Sequence, residues 1–104
     1  MGKMNKSAIE ETIKYKLKEN YRTLLKGVDM GKVTELLSIS VFLNEPYQGE
    51  CNYTFTGNVE LNENISEGET MSISYRYSNS LVHIKEGESG SEVSLAGPIF
   101  LTKV

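Results

Sequence analysis

Two side chains, Cys51 and His83, are the only thiol and the only imidazole in this 104-residue chain, so a Cys/His dyad is the first chemistry to test. Such a dyad needs the imidazole within hydrogen-bond reach of the sulfur, so that the reactive thiolate forms near neutral pH. The local pattern argues against it. In "GECNYTFTGNVEL" Cys51 shares the parity of Tyr53 and Phe55, which places it on the predicted apolar face, where a free cysteine is a small hydrophobe. His83 sits between Val82 and Ile84 and is expected on the opposite face, toward solvent. A single cysteine also excludes an internal disulfide and a Cys-rich metal site.

Other candidates weigh less. Asn52-Tyr53-Thr54 and Asn64-Ile65-Ser66 fit the N-x-[S/T] acceptor rule, the first on an exposed face and the second in a loop. The acidic segments, with Glu63, Glu67 and Glu69 in one and Glu86, Glu88 and Glu92 in the other, offer oxygens to a hard cation. Neither has the register of a calcium loop, and solvated loops are the simpler reading. Gly-rich phosphate cradles are absent, so no cofactor is expected. The tyrosines remain. Tyr53, Tyr75 and Tyr77 belong with the apolar face, where each hydroxyl needs a partner or a wet edge. If the sheet curves away from the helix, they line a shallow cleft beside Tyr21, and these four are the candidate ligand-binding residues.

The elements that must position these groups are legible from periodicity. Ile9, Ile13, Leu17, Tyr21, Leu24 and Val28 recur at steps of four or three, which predicts a helix over about 7–26. Ser7 and Glu10 have capping-box spacing at its start, and Gly27 is the expected terminator. Residues 1–6 are expected as a disordered tail and 7–104 as one domain. Leu37, Ile39, Val41 and Leu43 alternate with Ser38, Ser40 and Phe42, the period of a half-buried strand. Cys51, Tyr53, Phe55, Val59 and Leu61 alternate next, with Gly57 breaking the apolar row and predicting a bulge or bend. Met71, Ile73, Tyr75 and Tyr77 form a third row, "SNS" at 78–80 reads as a turn or bulge, and "EVSLAGPIFLTKV" reads as a last strand broken near Gly97-Pro98. One helix followed by an antiparallel meander of four or five strands over about 33–104 predicts an α+β domain, with the helix across the apolar face of the sheet.

This layout resembles the cystatin-like and NTF2-like group of small α+β folds, and "YTFTGNVELNENISEGETMSISYRY" is similar in rhythm to their paired long strands. The likeness spans roughly residues 7–86. It implies a curved sheet wrapped around one helix, and either a protein-binding hairpin or a pocket between helix and sheet. The chain departs from both patterns. Protease-inhibiting cystatins carry a Gln-x-Val-x-Gly hairpin, whereas "YQGEC" offers Gln48 without the Val or the spaced Gly. NTF2-like enzymes usually have further helices ahead of the sheet and a pocket Asp or His, whereas this chain offers a single helix and few candidate pocket residues.

Charge is unevenly spread. Residues 1–32 carry eight basic and four acidic side chains, residues 33–104 three and ten, for a net charge of −3. That balance disfavours a nucleic-acid partner, and no apolar run reaches membrane-spanning length. "MGKMNK" lacks the Ser or Thr of a myristoylation signal. A cytoplasmic protein and an exported domain whose leader is absent from the chain fit equally well. The leading expectation is a non-enzymatic binding or assembly module, meeting a protein partner or a second copy through edge strands and the exposed sheet face. The alternatives are an NTF2-like pocket for a small ligand or a reaction, using Tyr21, Tyr53, Tyr75 and Glu35, and a small inhibitor of a basic partner.

Overall fold

The amphipathic stripe forms a helix, α1, over Lys6–Leu24, and it buries Ile9, Ile13 and Leu17. The structure, a computed structural model, describes residues 5–44, 52–87 and 90–104. The helix start differs from the expected capping box. Asn5 is the N-cap, and its side-chain oxygen accepts from the Ala8 N–H at 2.7 Å. Asn caps as well as Ser does, and this arrangement releases Glu10 to reach the sheet. Of the expected N-terminal tail, residues 1–4 lie outside the described residues, while Asn5 and Lys6 form the cap and first turn. The helix ends at Leu24, two residues early. Asn20 leaves helical geometry (φ −125°, ψ 23°), which tilts the last turn, and Leu25–Lys26 become strand β1. Leu25 thereby enters the core, 1% exposed.

A short 3₁₀ turn, Met30–Lys32, leads into β2 (Val33–Ile39) and β3 (Phe42–Leu43). Two long strands follow, β4 (Asn52–Ser66) and β5 (Glu69–Gly87), then β6 (Gly90–Leu95), β7 (Ile99–Phe100) and β8 (Thr102–Lys103). β4 and β5 pair antiparallel along their length, joined at a tight turn where Gly68 takes φ +78°. β2 and β3 both pair with the free edge of β4, and β6 and β8 with the free edge of β5. The chain crosses between the two layers at β7, which pairs parallel with β1 at Leu25↔Ile99 and Lys26↔Phe100. The expected α+β architecture, one helix on a largely antiparallel sheet, is the one observed.

Register explains where the simple alternation fails. In β2 the ladder slips between Val33 and Glu35 and again between Leu36 and Ser38. Each extra residue reverses the facing, so Leu36 packs against the core while Leu37, expected inside, is 43% exposed. In β5 one extra residue lies opposite β4 between Ser80↔Phe55 and Tyr77↔Gly57. The buried row accordingly passes from Tyr75 and Tyr77 to Val82 and Ile84. The bulge expected at Gly57 and the one expected at 78–80 are thus one irregularity, seen from its two strands.

The core is the space between α1 and the inner sheet face. Ile13, Leu17 and Phe55 have no exposed surface at all, and burying side chains of this size contributes roughly 1.5–3 kcal/mol each. Past this core the β4–β5 hairpin continues alone. Val33 pairs with Glu63 at the start of β2, and β8 pairs no further along β5 than Tyr75, so residues 64–71 form a two-stranded arm. The arm makes the protein long: 53 × 24 × 19 Å, with a radius of gyration of 15.2 Å, against about 13 Å for a compact domain of this size.

Candidate functional site

The described structure does not gather the four candidate tyrosines into one cleft. Tyr77 is 3% exposed, stands edge-on to Phe55 with ring centres 5.6 Å apart, and donates its hydroxyl to the Ser40 carbonyl at 2.7 Å. Burial pushes its pKa well above the ordinary tyrosine value. Tyr75, 5% exposed, donates to the carboxylate of Glu63. Burial first, and the hydrogen bond to Glu63 second, push its pKa up to about 12. Both hydroxyls are therefore protonated and already committed to partners within the protein. Tyr53 is half-buried on β4 opposite Val82. Tyr21 lies elsewhere, in a surface groove of about 560 Å³ between α1 and β2, where Lys18, Glu35, Leu36 and Leu37 join it. Of the pocket set read from the sequence, Tyr21 and Glu35 share this groove among the described residues.

The other chemical candidates also separate. Cys51 and Gln48 lie outside the described residues. His83 is exposed, as expected, and pairs with Asn52 and Ser94. Among the acids of the first segment, Glu63 turns into the core and is 7% exposed, while Glu69 accepts from the Ser66 hydroxyl at 2.8 Å. Among the described residues no three His, Cys, Asp or Glu side chains converge as metal ligands would. Asn64 is exposed on the arm. The outer sheet face is polar and largely bonded to itself: Glu60 accepts from Ser72 at 2.7 Å and from Ser38 at 3.4 Å, and Asn62 donates to Thr34 at 3.1 Å.

The features best suited to meet another chain are the sheet edges, and they are treated differently. At the β2–β3 edge, α1 covers outward backbone groups at both ends. Glu10 accepts the Leu43 N–H at 2.8 Å, and Arg22 donates to the Val33 carbonyl at 3.2 Å. Charged side chains placed this way blunt an edge. The β6 edge has no such cover among the described residues. Ala96 N–H donates to the Leu81 carbonyl at 3.1 Å, so by the antiparallel alternation Leu95 and Val93 turn their N–H and C=O groups away from β5. These groups face a groove of about 580 Å³, whose far wall is Thr12, Lys16 and Asn20 of α1.

Sequence reading missed three of these features. Glu63 was grouped with loop acids, although its parity with Val59 and Leu61 was a usable signal. The edge-capping role of Glu10 had none, because it needs the fold. The open groove at β6 depends on how far α1 reaches across the sheet, which periodicity does not encode. No family model, no curated protein and no solved structure matches the chain.

Proposed function

We propose that this domain is a non-enzymatic binding module that takes up an extended segment of a protein partner along β6, beside α1. The observation that carries the reading is a contrast between the two edges: charged side chains of α1 cover both ends of the β2–β3 edge, at Leu43 and Val33, whereas the outward amides and carbonyls of Val93 and Leu95 stand open in a groove. An added strand would continue the sheet under the helix, its backbone bonding to β6 and its inward side chains lying beside Val93 and Leu95. Lys16 on the helix wall, with Glu92 on the strand wall, favours a segment that turns an acidic residue toward the helix. The cystatin-like or NTF2-like kinship is part of the same proposal, supported by the single helix laid on a largely antiparallel sheet.

The test is affinity capture from native extract with light scattering, run in parallel on the wild type and on Leu95→Pro. Proline at 95 removes an outward donor that the sheet does not use, so the fold should tolerate it. Loss of capture in the variant, with an unchanged circular dichroism spectrum, supports strand addition at β6. A partnerless protein, or capture indifferent to the substitution, overturns it.

A further inference from the structure

The β4–β5 arm carries two exposed apolar side chains past the end of the core. Met71 continues the inward row of Tyr75 and Ile73 and is 53% exposed, and Ile65, at the register shift between Asn64 and Ser66, is 52% exposed; neither β2 nor β8 pairs beside them. A two-stranded ribbon is marginal by itself, and burying Ile65 and Met71 against a second surface would support it. The charge on the arm restricts which surface that is. The arm's only charged residues are Glu67 and Glu69, and it has no basic residue. Face-to-face stacking of two arms would set like charges together. A basic surface is needed instead, and the same chain provides one.

That surface is the groove between α1 and β2. Tyr21, Leu36 and Leu37 supply its apolar part, and Lys18 stands exposed on its helix wall. Arg22, one turn on, is also exposed and lies over the Tyr21 ring at 5.2 Å. Glu35 lies on the strand wall, so an acidic ligand is drawn to the helix side. The groove's volume of about 560 Å³ accommodates two medium-sized apolar side chains. We infer that the arm of one copy docks into this groove of a second copy, with Ile65 and Met71 against Tyr21, Leu36 and Leu37, and Glu67 and Glu69 toward Lys18 and Arg22. The two surfaces are different, so the contact is head-to-tail and leaves one free arm and one free groove at the ends of every assembly. It is separate from the β6 edge and does not depend on it.

The head-to-tail form sets the experiment. An arm variant, Ile65→Ser with Met71→Ser, and a groove variant, Lys18→Glu with Leu37→Ser, alter exposed side chains and should melt within a few degrees of the wild type. By sedimentation velocity the wild type should grow in mass with concentration, and the association should weaken several-fold between low and high salt, as charge pairing requires. Each variant alone should be monomeric. Mixed in equal amounts they should form a 1:1 dimer that grows no further, because one intact arm meets one intact groove. A second arm of the test exchanges charges: Glu67→Lys abolishes association, and adding Lys18→Glu in the same chain restores it. A wild type that stays monomeric throughout, or variants that fail to pair when mixed, overturns the inference. So does loss of wild-type association on Leu95→Pro, which would place the self-contact at β6.

Discussion

Replacing Gly57 by alanine adds the smallest possible side chain at a position where there is no room for one. A Cβ there would lie 1.9 Å from the Ser40 carbonyl oxygen and 2.6 Å from the Tyr77 hydroxyl. Both are fixed: one is strand backbone, and the other is held in its bond to that same carbonyl. Gly57 is not among the glycines with positive φ, so the cost is steric and not conformational. Overpacking of this kind typically costs about 1–3 kcal/mol. Driving Tyr77 off the Ser40 carbonyl adds about 1 kcal/mol for a buried hydrogen bond. Together they amount to about 3 kcal/mol, which in a domain of this size lowers Tm by about 15 °C. Thermal and urea denaturation followed by circular dichroism read this directly. Gly97→Ala, with nothing within 4 Å of its new methyl group, is the control and should leave Tm nearly unchanged. Tyr77→Phe alone should cost about 1 kcal/mol, and in combination with Gly57→Ala less than the sum, since the methyl already displaces the hydroxyl. A Gly57→Ala protein melting within 3 °C or so of the wild type would refute the close approach of β4 to Ser40.

Further expectations rest on other contacts. Tyr75→Phe leaves the Glu63 carboxylate buried without its donor and should destabilise by about 1–3 kcal/mol, measured by urea titration. In the wild type the raised pKa of Tyr75 contributes stability that is fully present below pH 10 and is lost as pH rises toward about 12. Stability should therefore fall between about pH 10 and pH 12, and less steeply in Tyr75→Phe. Asn5→Ala should cost about 1 kcal/mol as a lost N-cap, whereas Ser7→Ala should fall within about 0.5 kcal/mol of the wild type in the same melts. Glu10→Ala should cost about 1 kcal/mol and speed hydrogen exchange at the Leu43 amide, the group it uncovers.

The outcome for particular residues shows what periodicity carries. The stripe of Ile9, Ile13 and Leu17 was legible because it lies on undisturbed helix, and the row Phe55, Val59 and Leu61 because the extra residue near Gly57 lies on β5 and leaves the alternation of β4 intact. Leu37 reads as inward but lies outside because two register slips in β2 reverse the facing, and a slip leaves no mark in hydrophobicity. Ser7 looked like the cap because it has the right neighbour in Glu10, yet Glu10 is engaged with Leu43, 33 residues away. The tyrosines were legible as apolar-face residues but not as a site. Whether a hydroxyl lines a cleft or bonds a carbonyl depends on how closely strands approach, and Gly57, which read as a bend, is what lets Tyr77 meet Ser40.

The parallel pairing of β1 with β7 sets a folding order. Leu25 and Ile99, both 1% exposed, meet across most of the chain. Closing so long a loop costs entropy before the contact repays it, whereas the β4–β5 hairpin forms from near neighbours. The hairpin should therefore assemble early, and the end of α1 should lock only when Ile99 arrives. Until then Ile13 and Leu17 lie against an unfinished floor. Substitutions at Ile99 should then raise the unfolding rate far more than they slow folding, and those at Val59 or Leu61 should do the reverse.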